Sequence, residues 1–517
     1  MRGETEQRVR EDRPRWLLAA IAAVLFCTAF ALSHWVDTLW QQGDDAYITY
    51  QYARRLAAGE GFTFSPGAAP SYGSTTPLWT LILAAIARAG IPPHVAAPWL
   101  TWILHGATAV LVFLVGAAIG GLATALPAGA MAALSLATFF RAGGMETALV
   151  TALAAALAYV LLLGRRRWWP GVLLGLLLLT RPDMILLALV VFGGWTFTRR
   201  ARREMLRPNL LAAVAMYLPW AVYALWTFHD LIPFSLRAKL AVEASGDMNL
   251  HSFRQWFLAG MPTAVFWSAV GACVVGAVVV WVRAPAFRPF VAWLPLYYWA
   301  LPAAGASDFM WYYIPPLWVG FILLASGLQA IARAFPRRAR APGYAVLALA
   351  AVGGYALVSY NGLEPLLLPD NPYPQFHPML AGKVAELAEP GDMVAAPEVG
   401  CIAYFTDCRI LDIRGVTCPE VIVRARARNL GAMLRHWKPD FVVILGGDGE
   451  PTIEYAYTDR FRAPYWNGMD YVIWERTLEA DDAAGGAAAA GQPLEPAKSL
   501  DRARQEVSPA DSAKTPF

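Results

Sequence analysis

Apolar runs of about 20 residues, each long enough to cross roughly 30 Å of hydrocarbon, recur from Trp16 to about Tyr360 and restrict the chain to a polytopic membrane fold. Composition agrees: 57% of the 517 residues are hydrophobic and 15% charged, and the mean hydropathy is +0.42, too apolar for a soluble chain of this length. We read about eleven spans, over residues 16–34, 95–119, 121–140, 146–163, 168–181, 184–198, 208–227, 262–282, 288–304, 312–332 and 342–360.

Where the charges fall matters more than the net +4. Basic clusters at Arg2 to Arg15, Arg165 to Arg167, Arg199 to Arg203, Arg283 to Arg288 and Arg333 to Arg340 lie before the first span or between spans, which marks the cytoplasmic ends. The acids Asp37, Asp44, Asp45, Glu60, Glu146, Asp183, Asp230, Glu243, Asp247 and Asp308 then gather on the opposite face. An odd number of spans with the N-terminus inside puts the C-terminal segment outside. The first span is expected to be a retained anchor in the inner (plasma) membrane, because no small-residue cleavage site follows it.

The first outer loop has structure of its own. Tyr47, Ile48, Gln51, Tyr52, Arg55 and Leu56 have helical spacing after Asp44, and the pattern stops at Gly59 and Gly61 before resuming at 75–91. Two short helices are expected there, lying along the outer interface.

From about Phe376 the pattern becomes that of a soluble α/β module: helix 379–387, strands 392–397 and 408–413, helix 421–437, strand 440–446 and strand 471–476. The expected organisation is a transmembrane domain over 1–365, an extracytoplasmic α/β domain over 366–479 with a modest core of its own, and a disordered tail over 480–517.

Cys27 and Cys273 read as packing residues within spans, and of Cys401, Cys408 and Cys418 the first two are the preferred pair if the compartment is oxidising. CxxC, HExxH and phosphate-loop motifs are all missing from the sequence, so redox, zinc-protease and P-loop chemistry lack their usual signatures. No nucleic-acid partner and no fixed metal site are expected.

A set of motifs spread over the chain resembles the GT-C class of polyprenyl-phosphate-sugar glycosyltransferases. Its pieces are DDAYITYQYARRLAAGEGF (44–62), YGSTTPLW (72–79), GGMETAL (143–149), LTRPDM (179–184), LIPFSLRAK (231–239) and DFMWYYIPPLW (308–318). Within that class the chain is similar to the group containing the terminal β-(1→2)-arabinofuranosyltransferase of mycobacterial cell walls and the RgtA/B/C/D-like and aminoarabinose transferases. The resemblance implies a GT-C fold and a sugar, a pentofuranose such as arabinofuranose, moved from a polyprenyl-phosphate donor to a cell-envelope glycan acceptor at the periplasmic face of the bilayer. A shorter chain and a different outer domain set it apart from the mycobacterial enzyme.

Such chemistry needs a carboxylate to take the acceptor's proton and a cation to hold the departing phosphate. Asp44 is the expected base by its place in the motif; Asp45 then orients the acceptor or binds a divalent cation, Mg²⁺ or Mn²⁺. Both acids could equally cap the helix that they open. Lys239, the lone lysine of the membrane half, is the expected phosphate ligand, with Arg237, Arg181 and Arg55 beside it; a solvated lysine and headgroup-seeking arginines are the alternatives. Glu146, Asp183, Asp308, Tyr47, Trp311 and Tyr312 are assigned to sugar or acceptor binding, against the simpler readings of helix caps and an aromatic interface belt. A transporter would carry charges in mid-span, which are scarce here. A protein mannosyltransferase and a flippase for lipid-linked sugars share the same rim chemistry.

Overall fold

The structure, a computed structural model, describes residues 15–39, 42–135, 143–164, 168–196, 199–241, 248–306, 308–363, 376–418, 421, 430–446, 457–464 and 470–477. Every apolar stretch expected to span contains a helix: α1 (Arg15–Leu39), α4 (Pro93–Gly120), α5 (Leu122–Ala133), α6 (Thr147–Leu163), α7 (Trp169–Thr180), α8 (Ile185–Gly194), α9 (Arg207–Phe228), α12 (Thr263–Arg283), α13 (Arg288–Ala303), α14 (Leu317–Ala332) and α15 (Arg340–Asn361). Among the described residues, 5 helices are long and apolar enough to cross a membrane by themselves: α1, α4, α12, and α9 and α15 with the turns that lead into them. The chain is a multi-pass membrane protein. The short helices expected in the first outer loop are α2 (Asp44–Ala57) and α3 (Pro77–Arg88), and a further pair, α10 (Phe234–Ala241) and α11 (Leu250–Phe257), follows α9.

Helices in lipid associate through close packing and a few buried polar groups. α12 and α14 meet at Gly276 and Gly327: a Cβ on either would lie 1.8 Å from a backbone oxygen of the other helix, that of Leu323 or Ala272. His105 on α4 is fully buried, with Ser33 Oγ 2.5 Å from Nδ1 and the Ala132 carbonyl 2.9 Å from Nε2, so one imidazole ties three helices. Asn209 accepts from the Gly171 amide and donates to the Met205 carbonyl, both at 2.7 Å.

After α16 (Phe376–Leu387) come β1 (Met393–Ala396), α17 (Gly400–Phe405), β2 (Arg409–Asp412), α18 (Leu430–Trp437), β3 (Phe441–Leu445), β4 (Tyr457–Pro464) and β5 (Asp470–Arg476). The sheet order is β2-β1-β3-β5-β4, with β1 parallel to β2 and β3, and β5 antiparallel to β3 and β4. Successive residues of a strand face opposite ways. One sheet face, with Ala395, Leu411, Val442 and Val472, packs on Met433 and Leu434 of α18. The other, with Val394, Ile410, Val443 and Ile473, belongs to the same apolar cluster as Tyr47 and Tyr50 of α2 and Leu83 of α3. The module therefore shares half of its core with the juxtamembrane helices.

Two elements of the C-terminal module escaped the sequence reading, as did α10 and α11 after α9. α17 is a short helix hidden between two strands, and β4 is an edge strand, YTDRFRAP, whose apolar alternation at Tyr457, Phe461 and Ala463 is broken by Asp459 and diluted by three charged residues. The disulfide expectation is corrected: Cys401 and Cys408 are free, because a helix rather than a turn stands between them. The tail over 480–517 and most of the first half of the 421–437 helix lie outside the described residues.

Candidate active site

α2 begins where Gly43, in extended conformation, hands over to Asp44 and Asp45. Neighbouring helical residues point about 100° apart, and here that turn separates the two acids. Asp45, Ile48 and Thr49 share the face that lines a cavity of about 310 Å³. Asp44 and Tyr47 share the other face, against the C-terminal module. Each oxygen of the Asp44 carboxylate accepts a backbone amide at the start of α17, from Gly400 and Cys401, both at 2.8 Å. Tyr47 packs on Tyr404 and Phe405, with ring centroids 5.4 Å away in each case.

The opposite wall is built around Arg181. The residue before a proline is driven to extended backbone, so Arg181 ends α7 ahead of Pro182 and Asp183 follows in the next turn. Its guanidinium grips Asp183 with two hydrogen bonds, at 3.0 and 2.9 Å, and donates to Glu146 at 3.3 Å. The Tyr297 hydroxyl donates to Asp183 at 2.6 Å, and the guanidinium carbon lies 4.9 Å from the centre of the Tyr312 ring. Glu146, at the head of α6, is held by its own loop, where the Trp79 indole donates to the Gly144 carbonyl at 3.0 Å.

Ser74 and Thr75 from the YGSTTP segment, Ser235 and Leu236 at the start of α10, and Trp311 complete much of the lining. Val416 comes from the C-terminal module. Its loop is wound around the buried Asp412, which accepts from the amides of Arg414, Gly415 and Thr417 and from the Thr417 hydroxyl at 2.7 to 3.1 Å. α17 and this loop follow β1 and β2, so the carboxyl ends of these parallel strands, where such sheets present their binding loops, face the membrane helices.

Of the residues expected in the site, the cavity unites Asp45, Glu146, Arg181, Asp183, Trp311 and Tyr312. Others lie elsewhere. Asp44, the expected base, is consumed by the α17 amides, and Tyr47 by ring packing. Arg55 is buried against Glu60, Thr63 and the Ser65 carbonyl, and Arg237 is paired with Asp230 at 2.5 Å. Asp308 accepts from Tyr313 at 2.6 Å, which fixes the loop that carries Trp311 and Tyr312. Lys239 belongs to α10, one turn beyond Ser235, and its side chain lies outside the described residues. Ser235 and Val416 were missed, since a single serine or valine carries no chemical signature in sequence.

A buried titratable cluster lies behind Asp44. Burial pushes the Asp44 carboxyl up to about 6, although nearby His377 pulls it down. His377 and Glu398 are 2.5 Å apart. Burial alone would lower His377, but its bond to Glu398 and the charges of Glu398 and Asp44 raise it; Glu398 is in turn held below its ordinary value by His377 despite burial.

The arrangement has the architecture of a GT-C membrane fold, as comparison with solved structures shows. ArnT from Cupriavidus metallidurans bound to undecaprenyl phosphate superposes with a TM-score of 0.57 at 14% identity, over 88% of this chain and 97% of that one. The Archaeoglobus fulgidus oligosaccharyltransferase in its apo form gives 0.54 at 12% identity, over 83% and 69%. The oligosaccharyltransferase AglB from the same organism, in complex with an inhibitory peptide and a dolichol-phosphate, gives 0.52 at 11%, over 88% and 74%. Residues 375–488 match a family described as "Domain of unknown function (DUF8728)". No curated protein matches the chain.

Proposed function

We propose that the protein is an inverting membrane glycosyltransferase that moves a sugar, a pentofuranose such as arabinofuranose, from a polyprenyl-phosphate donor to a cell-envelope glycan on the extracytoplasmic face. The observation that carries this reading is that one cavity brings together a carboxylate at the head of a short juxtamembrane helix, Asp45, with an acid-bracketed arginine and an aromatic wall. The GT-C likenesses support it, since ArnT is bound to undecaprenyl phosphate and AglB to a dolichol-phosphate.

In this reading the acceptor hydroxyl attacks the anomeric carbon while Asp45 takes its proton. The bond from that carbon to the phosphate oxygen breaks, and its electron pair leaves with the polyprenyl phosphate. Asp45 replaces Asp44 as base because it faces the cavity. Lys239 and the start of α10 meet the charge that grows on the phosphate. Arg181, matched by Glu146 and Asp183, shapes the sugar pocket with Tyr312, and Trp311 offers a ring face to the sugar.

Transfer from a synthetic polyprenyl-phospho-arabinofuranose in membranes tests the assignment. Asp45→Asn should lower the rate at least about 100-fold, the range of a lost general base, and leave undecaprenyl phosphate binding intact. Full activity in that variant would reject Asp45 as base.

A further inference from the structure

Among the described residues, the cavity wall contains one buried polar group without a partner. Ser235 is 1% exposed, lines the cavity, and its hydroxyl has no hydrogen-bond partner among the described residues. Buried hydroxyls are nearly always bonded, because leaving one unmet forfeits the bond it had in water. The neighbouring hydroxyls Ser74 and Thr76 satisfy each other at 3.3 Å.

Its position says what the missing acceptor is. Ser235 stands in the first turn of α10, whose amides form the positive end of the helix. That turn is anchored to the YGSTTP segment, as the Phe234 amide donates to the Tyr72 carbonyl at 3.2 Å. Across the cavity the charge balance is opposite: Asp45, Glu146 and Asp183 face it with Arg181, which is already matched by two of them. An anion is repelled there and welcomed by the positive end of α10, whose cation Arg237 is already paired with Asp230. A neutral sugar hydroxyl has no such preference.

We propose that the first turn of α10 is the phosphate seat of the cavity, with the Ser235 hydroxyl donating to a non-bridging oxygen of a lipid-linked phosphate. This deepens the donor assignment made above and rests on it. Ser235 acts by binding and has no part in the proton transfer.

The test uses the full-length protein in lipid nanodiscs, with undecaprenyl phosphate, undecaprenol and inorganic phosphate as probes. Ser235→Ala should weaken undecaprenyl phosphate binding about tenfold, the loss expected for one hydrogen bond to a charged group. It should leave undecaprenol binding unchanged. The ligand-free melting temperature should stay level or rise, since the hydroxyl removed satisfies nothing in the empty protein. Equal affinity of wild type and variant for undecaprenyl phosphate overturns the proposal. So does a parallel loss for undecaprenol, or a fall in the ligand-free melting temperature, either of which makes the hydroxyl structural. Inorganic phosphate competing at the same concentration as the lipid would assign the seat to free phosphate instead. If the wild type binds no undecaprenyl phosphate, the donor assignment fails first and takes this seat with it, an outcome distinct from binding that ignores Ser235.

Discussion

Asp44 and Gly400 join the two halves of the molecule: the Asp44 carboxylate accepts the Gly400 amide at 2.8 Å, while a Cβ on Gly400 would lie 2.0 Å from the Asp44 carbonyl oxygen. The contact admits only glycine, and it leaves the adjacent Asp45 facing the cavity on the other side of α2.

Replacing Asp44 should therefore affect docking of the C-terminal module before it affects chemistry. In Asp44→Asn one of the two amides meets an NH₂ group in place of an oxygen, a loss of about 1–3 kcal/mol. Faster limited proteolysis of the module is expected, with residual transfer well above that of Asp45→Asn. If Asp44→Asn abolished transfer with unchanged protease resistance, Asp44 would have to be returned to the chemistry.

Gly400→Ala should be worse for docking than its size suggests. The added methyl meets backbone rather than a flexible side-chain end, so α2 or α17 must move, at a cost of about 1–3 kcal/mol. A lowered melting temperature together with reduced transfer is the expected result. Normal stability would mean that the two helices are less tightly set than this contact requires.

Arg181→Ala would leave Glu146 and Asp183 facing each other with the intervening cation gone. Breaking a buried ion pair from one side costs about 3–5 kcal/mol. The double change Arg181→Met with Asp183→Asn should recover part of that stability without recovering transfer, and thermal melting beside an activity assay separates the two effects.

Docking of the module should weaken as pH rises. Burial holds Asp44 near 6 against an ordinary 3.8, so its contribution is complete below about 4 and is lost as pH rises toward about 6. His377, raised above its ordinary 6.5, adds stability that is present below that value and is lost at higher pH. Glu398, held low, opposes both only in acid, where protonation breaks its bond to His377. Protease sensitivity of the module should accordingly increase from about pH 4 to above 6.5, and Asp44→Asn should flatten the lower part of that curve. A wild-type profile that is level across this range would contradict the buried cluster.

The helices of the membrane half were legible because lipid imposes a length and an apolar composition on each of them. So were Glu146, Arg181 and Asp183, since polar residues next to glycine and proline at span ends stand out against an apolar background. Less visible were contacts made across hundreds of residues, such as Asp44 with Gly400, and groups with no signature of their own, such as Ser235 and Val416. Arg55 misled for the same reason: its burial against Glu60, Thr63 and Ser65 depends on how the loop after α2 folds back.

By itself the sequence determined that this is a multi-pass membrane protein with a C-terminal α/β module, and that its acids collect near the ends of apolar segments, because hydropathy and strand or helix periodicity act locally. Only the tertiary structure decided which of two adjacent aspartates faces the cavity. A helix turns about 100° per residue, and the choice between its two faces belongs to what packs against each.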